Sequence, residues 1–334
     1  MVTTTKLSTW KLQENIGSIS ITDNGCSVTS ADNAIALLAT MNAAVAIGVT
    51  LIIPEGVFVT SPITVPANCK IDGVGTLKLV STANDYLLAL SSGVMLMHVT
   101  LDGNNSAVSA GNKGCIKITG ASNVFIDSVT INNPLGDGVY VTGASTNIEV
   151  DSVTVNNSAR NGITVDSATG VDIINFQCTS PVNVAFPGIG ISITSAGAAI
   201  KNINIAEALI RNAKSNGIDI VGSGSRNITN VTINPGVRVV DNTGNGIRVT
   251  NAEEIIINSI IVGTNTIDGI RIEGDAQNCR VTTCVANGNA GRGISEVVTT
   301  STPNNNGFIY NVQVNNAGGN STSIVGTSSF KVGS

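Results

Sequence analysis

The sequence predicts an all-β protein: a single-stranded, right-handed parallel β-helix, closed at its N-terminal end by an α-helix. One observation is a short hydrophobic–any–hydrophobic phrase that recurs along most of the chain. Another is a composition suited to short strands and tight turns. The third is a single segment with helical spacing of apolar residues that precedes the repeats.

The composition favours strands over helices and limits the classes of partner. Apolar residues make up 42% of the 334 residues, charged residues 12% and aromatic residues 3%. Gly, Asn, Thr, Ser, Val and Ile are abundant, whereas helices favour Ala, Leu, Glu and Lys. The formal net charge is −5, and no run of Lys or Arg could neutralise several phosphates, so we expect no nucleic-acid partner.

The recurring phrase begins with a turn residue, usually Gly, as in GIDIVGS from Gly217 and GIRVTNA from Gly246. Successive copies begin 23 to 29 residues apart. The copies start at Cys115, Gly138, Gly162, Gly190, Gly217, Gly246, Gly269 and Gly293. A turn of this length holds three short strands and three bends. The period is too short for a propeller blade, and the regular Leu and Asn of leucine-rich repeats are missing.

A second phrase with the same alternation lies between these copies, for example NIEVDSVTVNN from Asn147. In both phrases we expect Ile and Val to point inward and to stack on equivalent positions about 4.8 Å away in the next coil. The pairs Asn132–Asn133 and Asn156–Asn157 suit the bends, because Asn tolerates left-handed backbone and bonds to its neighbours in a stack.

The segment 31–46 is predicted to be an amphipathic helix that caps the first coil. Its apolar residues at steps of three and four are Ile35, Leu38, Met41 and Val45. Ser30 or Asp32 is expected to cap its N-terminus. We predict that residues 27–300 form the β-helix, that residues 1–26 form an attachment arm containing Trp10, and that the more polar residues 301–334 form the end of the column and contact other subunits of a trimer.

The sequence also predicts where the protein is made and whether it binds a membrane, a metal or a cofactor. The first residues lack an apolar stretch of signal-peptide length, and no segment approaches the 18 apolar residues of a membrane helix, so we expect no membrane contact and synthesis in a cytoplasm. The six cysteines lie without CxxC spacing, which disfavours zinc and predicts reduced, packed thiols; pairing of Cys279 with Cys284 stays open. We predict no metal and no cofactor.

Aligning the phrases predicts which side chains share one outer face. The residue between the two inward positions gives what we call the central column: Lys117, Tyr140, Thr164, Ser192, Asp219, Arg248, Arg271 and Ser295. The next outward residue gives the flanking column: Thr119, Thr142, Asp166, Thr194, Val221, Thr250, Glu273 and Val297. Charged residues of both columns should therefore meet on successive coils, which makes this face the best candidate for a glycan-binding groove.

Glycoside hydrolysis needs two carboxyl groups, one as acid and one as base or nucleophile. The candidate catalytic residues are Asp166, Asp219 and Glu273, since Asp166 with Asp219, or Asp219 with Glu273, stand two coils apart. The candidate substrate-binding residues are Tyr140, Arg248 and Arg271. The simpler alternative is that Asp219–Arg248 and Glu273–Arg271 are surface ion pairs that keep the face soluble.

The order of segments resembles a known family. A cap helix, then IIPEGVF from Ile52, then an IDGVG turn, then MHVTLDGNN and the repeating coils, is similar to the β-helix part of bacteriophage tailspikes and related tail proteins, within the wider pectate-lyase-like superfamily. The resemblance implies a homotrimer in the phage virion, assembled in the host cytoplasm, that acts extracellularly on host surface polysaccharide, with or without cleaving it. It also implies that the arm joins other tail proteins.

Departures from the superfamily leave other functions open. The Gly-His-Gly turn of polygalacturonases is missing, and GIRIEG has Glu273 where a lysine is expected. No acidic calcium cluster of the pectate-lyase type stands out. The alternatives to a tailspike-like protein, whether a depolymerase or not, are therefore a secreted polysaccharide lyase, hydrolase or epimerase, and a non-catalytic structural β-helix.

Overall fold

The structure is a computed structural model that describes residues 17–83, 85–104, 114–179, 188–195, 198–224, 226–298, 303–319, 324–325 and 329–332. Most of the predicted arm, residues 1–16 with Trp10, lies outside the described residues. Residues 17–26 of that arm contribute strand β1 (Ser18–Ser20) and a short 3-10 helix (Ile21–Asn24).

The described residues form 34 strands, numbered β1 to β34 in chain order, in three sheets. Sheet 1 consists of β1 (Ser18–Ser20), β2 (Thr50–Ile53), β5 (Lys70–Gly73), β8 (Met95–Met97), β11 (Ser122–Asp127), β14 (Ser145–Asp151), β17 (Ala168–Ile174), β20 (Ile200–Ala206), β23 (Ile228–Ile233), β26 (Glu253–Asn258), β29 (Arg280–Thr282), β32 (Gly307–Ile309) and β34 (Phe330–Val332). Sheet 2 consists of β3 (Val57–Thr60), β6 (Thr76–Leu79), β9 (Thr100–Asp102), β12 (Thr130–Asn132), β15 (Thr154–Asn156), β18 (Gln177–Thr179), β21 (Leu209–Arg211), β24 (Arg238–Val240), β27 (Ile261–Gly263), β30 (Val285–Asn287) and β33 (Val312–Val314). Sheet 3 consists of β4 (Ile63–Val65), β7 (Leu88–Leu90), β10 (Gly114–Thr119), β13 (Asp137–Thr142), β16 (Ile163–Val165), β19 (Ile191–Thr194), β22 (Ile218–Val221), β25 (Ile247–Thr250), β28 (Ile270–Glu273) and β31 (Ile294–Val297).

The chain visits the three sheets in a fixed order, and this makes the predicted coil. From β2 onward each coil supplies one strand to sheet 1, then one to sheet 2, then one to sheet 3. About ten coils stack in this way, and neighbouring strands of the described residues are parallel, as between β22 and β25. The right-handed parallel β-solenoid predicted from the repeat is confirmed.

The core consists of the alternating apolar residues of the phrases. Ile193, Ile220 and Val249 occupy one register column of sheet 3, and all three are fully buried. Burial of one such side chain stabilises the fold by about 1.5–3 kcal/mol. Because each coil repeats the pattern, the interior is one continuous apolar column rather than a separate core for each coil.

Asparagine ladders hold the bends between coils, as predicted for the Asn pairs. Asn133 and Asn157 both have left-handed backbone, and Asn157 Nδ2 donates to Asn133 Oδ1 at 3.4 Å. A buried ladder lies further along the column, where Asn242 Nδ2 donates to Asn265 Oδ1 at 2.9 Å and Asn265 Nδ2 donates to Asn289 Oδ1 at 2.9 Å. Each amide satisfies the next, so these bends bury polar groups without leaving them unpaired.

The cap helix α1 (Ala34–Ile47) packs against β1, β2, β4 and the 3-10 helix, and so covers the first coil. The predicted buried face was wrong in part. Ile35 is 90% exposed and Leu38 is also exposed, whereas the residues buried in the helix are Leu37, Thr40, Met41 and Ala44. The helix is apolar on several faces, so spacing alone did not identify the buried one.

The N-terminus of α1 also differs from the predicted cap. Asn33 is the N-cap residue, and its side chain makes no capping hydrogen bond. Asp32 nevertheless contributes, because its Oδ1 accepts from the backbone N–H of Ala34 at 2.9 Å and from that of Ser61 at 2.9 Å. It ties the helix start to the turn after β3.

At the other end of sheet 3 a carboxylate replaces an inward apolar residue. Glu296 pairs in register with Ile272 and is buried. Its Oε1 accepts from Asn306 Nδ2 at 2.8 Å and from Ser329 Oγ at 2.7 Å, and its Oε2 accepts from the backbone N–H of Val325 at 2.8 Å. The apolar column thus ends on a polar group that binds the C-terminal segment.

All six cysteines are free and buried, so Cys279 and Cys284 do not form a disulfide. No helix within the described ranges is long and apolar enough to cross a membrane.

Candidate functional site

The central column lies in register on the outer face of sheet 3, as the phrase alignment predicted. Asp219 pairs with Arg248, and Arg248 pairs with Arg271, on three successive coils. The flanking column follows in the same register, with Thr250 opposite Glu273. The charged residues chosen from the sequence are therefore neighbours on one face.

The column is less open than expected. Thr164, Ser192, Asp219 and Ser295 are buried although they point away from the core. Residues of the turns that enter sheet 3 contact two of them: Asn161 Nδ2 donates to Thr164 Oγ1 at 3.0 Å, and Ser295 Oγ donates to Asp268 Oδ2 at 2.6 Å. Strand alternation determines the direction of a side chain, but the adjacent turns determine whether water reaches it. The column is the floor of a groove.

Asp219 and Arg248 form a bidentate ion pair. Arg248 Nε donates to Asp219 Oδ1 at 2.7 Å, and its Nη2 donates to Oδ2 at 2.8 Å. The carboxylate side chain is 6% exposed and the guanidinium side chain 33%. The hydrogen bonds that Arg248 donates to Asp219 raise the pKa of Arg248 above its ordinary value, so this arginine remains charged. Both oxygens of Asp219 are engaged by one partner.

The network continues through the next coil. Arg248 Nη1 lies 3.7 Å from Glu273 Oε1, and Arg271 Nε donates to Glu273 Oε2 at 2.6 Å. Arg271 also lies 3.7 Å from Asp268 Oδ2, which accepts from Ser295 Oγ at 2.6 Å. The two ion pairs of the simpler alternative therefore exist. They are buried in a shared network rather than exposed, since the Glu273 side chain is only 9% exposed.

Tyr140 lies in the first half of the column, in a separate aromatic cluster. Its ring stacks on Tyr86 with 6.1 Å between centroids, and its hydroxyl donates to Asp166 Oδ2 at 3.3 Å. Burial raises the pKa of Tyr140, and the charge of Asp166 raises it further. Lys117 Nζ lies 5.6 Å from the centroid of the Tyr86 ring. Asp166 is thus next to Tyr140 and not in the network of Asp219 and Glu273.

Two residues that the phrase alignment missed join these clusters. Asp137 is fully buried, and it accepts from Arg160 Nε at 2.7 Å and from the backbone N–H of Asn161 at 3.0 Å. Arg160 lies with its guanidinium carbon 5.7 Å from the centroid of Tyr140.

One sequence signal could have found this cluster. The residue immediately before each phrase forms a further column, which reads Gly114, Asp137, Asn161, Ile189, Asn216, Asn245, Asp268 and Arg292. Tyr86 and Arg160 lie outside both phrases, so alternation gives no indication of them.

An open cleft of about 350 Å³ lies between the two clusters. It is lined by Arg160, Asn161, Ile189, Ser192, Thr194, Asp219, Val221 and Arg248. A second cleft of about 380 Å³ lies on the same face nearer the cap, and Lys117 and Thr119 are among its lining residues. Within the described part of the chain, no group of three or more His, Cys, Asp or Glu side chains could hold a metal ion.

No protein-family model matches the sequence, and no curated protein matches it significantly. Solved structures do share the fold. The A-module of a mannuronan C-5 epimerase from Azotobacter vinelandii aligns with a TM-score of 0.75 and 16% identity, over 94% of this chain and 97% of that one. The Dettilon tailspike protein aligns with a TM-score of 0.68 and 12% identity, over 94% of this chain and 68% of that one.

Gene product 12 of bacteriophage phi29, in its pre-mature form, aligns with a TM-score of 0.66 and 15% identity, over 98% of this chain and 53% of that one. At these identities the likeness shows the fold alone. These three neighbours are a C-5 epimerase module, a tailspike protein and a bacteriophage gene product, and all three share the β-helix fold.

Proposed function

We propose that this protein binds a cell-surface polysaccharide along the outer face of sheet 3, as a tailspike-like protein of a phage tail. The observation that carries the proposal is the continuous column of polar side chains from Lys117 to Ser295, flanked by two clefts on one face. Pockets with a few fixed polar groups are the ordinary form of small-molecule sites. The extended column suits a linear chain of sugars.

The groups on this face match the chemistry of sugars. Carboxylates and hydroxyls accept from sugar hydroxyls, and guanidinium groups donate to them. Tyr140, which stacks on the buried Tyr86, offers part of its ring surface near the cleft, and sugar rings can pack against it. The ion pairs hold these groups in fixed positions before the ligand arrives, which reduces the entropy lost on binding.

Binding is tested on immobilised bacterial capsular polysaccharides and lipopolysaccharides with a variant that fills the cleft. We expect Thr194→Trp to lower binding at least about tenfold, because the indole would occupy the cleft. The matched control is Thr154→Trp, which places the same side chain on the outward face of sheet 2. Equal binding by both variants, or loss with Thr154→Trp alone, would exclude this face.

A second candidate function is modification of the bound polysaccharide, by hydrolysis, elimination or epimerisation. The hydrogen-bonded pair of Tyr140 and Asp166 favours it, since a phenol and a carboxylate within bonding distance can exchange protons with a substrate. Asp219 and Glu273 remain candidate acid and base residues. However, Asp219 would first have to leave Arg248, because both of its oxygens are occupied.

Modification is measured by release of reducing ends, by formation of unsaturated sugars and by change in the NMR spectrum of the polymer. We expect Asp166→Asn to abolish product while retaining binding. The control is Asp172→Asn in sheet 1, which should change neither. Product formed at the wild-type rate by Asp166→Asn would remove this residue from the chemistry.

We also propose that the protein is a homotrimer, attached to other tail proteins through residues 1–26 and located in the virion. Light scattering during gel filtration should give three times the 33.9 kDa of one chain. The mass of a single chain would contradict a tailspike-like assembly.

A further inference from the structure

We infer that the polysaccharide bound on sheet 3 is neutral, made of uncharged sugars, rather than a polyanion. The inference rests on the proposed function and specifies its ligand. It follows from the ion pairs that the charged groups of this face already form with one another.

The arginines of the face are held by the protein's own carboxylates. Arg248 is bidentate with Asp219, and Arg271 bonds to Glu273 at 2.6 Å. An acidic sugar would have to compete with these carboxylates, which are fixed on the same or the adjacent strand and are already desolvated. By displacing one of them it would gain no additional charge pair.

Arg160 makes the same kind of contact, although it lies in the tyrosine cluster. It is bidentate with Asp137, whose carboxylate is fully buried and therefore cannot move out to make room for an anionic ligand. The guanidiniums of Arg160, Arg248 and Arg271 are thus matched before any ligand binds.

The charges of the groove do not leave a positive surplus. Its described side chains comprise five cations and five carboxylates: Lys117, Arg160, Arg248, Arg271, Arg292, Asp137, Asp166, Asp219, Asp268 and Glu273. The whole chain also carries a formal charge of −5. A polyanion would therefore approach a groove whose charges balance, on a protein of net negative charge.

The remaining lining groups are those that bind neutral sugars. Ser192 presents a hydroxyl on the floor, and Thr194 and Asn161 contribute further uncharged polar groups to its wall. Tyr140 adds a half-buried ring at one end. Hydroxyl, amide and aromatic groups recognise hydroxyl-bearing rings by hydrogen bonding and packing, without a charge on the ligand.

The test is an array of purified bacterial capsular and O-antigen polysaccharides, divided into neutral members and members that contain uronic acid or phosphate. We expect the strongest binding among the neutral members, with affinity that changes by less than about threefold between about 0.1 and 1 M NaCl, where the Debye length falls from about 10 to about 3 Å. Binding confined to acidic members, weakened steeply by salt, would overturn the inference while leaving the proposed function standing. Binding to no member would contradict the proposed function itself.

A pair of tyrosine variants tests whether the neutral polysaccharide binds in this groove. Tyr140→Ala should weaken binding to the strongest neutral member about fivefold to tenfold. Tyr310→Ala is the matched control, because Tyr310 is exposed near the C-terminal end of the column, after β32. Neutral binding that both variants retain in full would place the neutral ligand elsewhere and overturn the inference.

Discussion

Replacement of Arg248 by Met isolates the contribution of the ion network to the fold. The substitution keeps the apolar stem of the side chain and removes the guanidinium. Asp219 would then retain a buried carboxylate, 6% exposed in the native protein, without the two hydrogen bonds of 2.7 and 2.8 Å that it now accepts.

Breaking a fully buried ion pair on one side costs about 3–5 kcal/mol. Arg248 is one-third exposed, so water can enter part of the vacated space, and we expect the lower end of that range, about 3 kcal/mol. The contact with Glu273 at 3.7 Å is longer and adds little. Replacing both partners, as in Asp219→Asn with Arg248→Met, should recover about half of the loss because no charge remains uncompensated.

The assay is urea denaturation at pH 7 followed by far-UV circular dichroism, with free energies from linear extrapolation. Arg238→Met is the matched control, since Arg238 is exposed on sheet 2, and it should change the free energy of unfolding by less than about 0.5 kcal/mol. The reasoning is refuted if Arg248→Met costs no more than Arg238→Met, or if the double variant is less stable than Arg248→Met alone.

Three further predictions concern the ladder, the coil spacing and the thiols. Asn265→Ala should lower the free energy of unfolding by about 2–3 kcal/mol, since buried amides on both sides lose partners. Replacement of the exposed Asn157 by Ala should cost less than about 1 kcal/mol. Equal urea midpoints for Asn265→Ala and Asn157→Ala would contradict this. Gly114→Ala places a Cβ 1.8 Å from a carbonyl oxygen of the next coil, so it should destabilise the protein by at least about 2 kcal/mol in the same assay while Gly17→Ala stays neutral; a neutral Gly114→Ala would be inconsistent with the coil spacing. Burial raises the pKa of Cys178 from 9.0 to about 12, so its thiol ionises first in the unfolded chain. The free energy of unfolding should therefore fall as pH rises from about 9 to about 12. This fall with pH should be shallower in Cys178→Ala, and an unchanged slope would count against burial of the thiol.

The sequence predicted the coil and the register of the outer face because the repeat determines both. Alternation with a period of two directs Ile220 inward and Asp219 outward, and stacking of equivalent phrases places Arg248 on the next coil. These are local rules, repeated on each coil, so one aligned phrase predicts the whole column.

What the sequence could not predict depends on contacts between coils and turns. Alternation does not show that Thr164 is buried beside Asn161, or that Arg248 lies between two carboxylates. The cluster of Asp137 with Arg160 joins the start of β13 to the turn before β16, and no phrase contains both residues. Likewise, α1 is apolar on more than one side, and its buried face follows from packing on the first strands.

The most direct test of the account is a crystal structure with a bound oligosaccharide, taken from a polysaccharide that the protein recognises. We predict sugar rings lying along the central column, with contacts to Arg248 and Tyr140 and occupancy of the cleft beside Thr194. Sugars bound only on sheet 1 or sheet 2, with the sheet 3 groove empty, would contradict it.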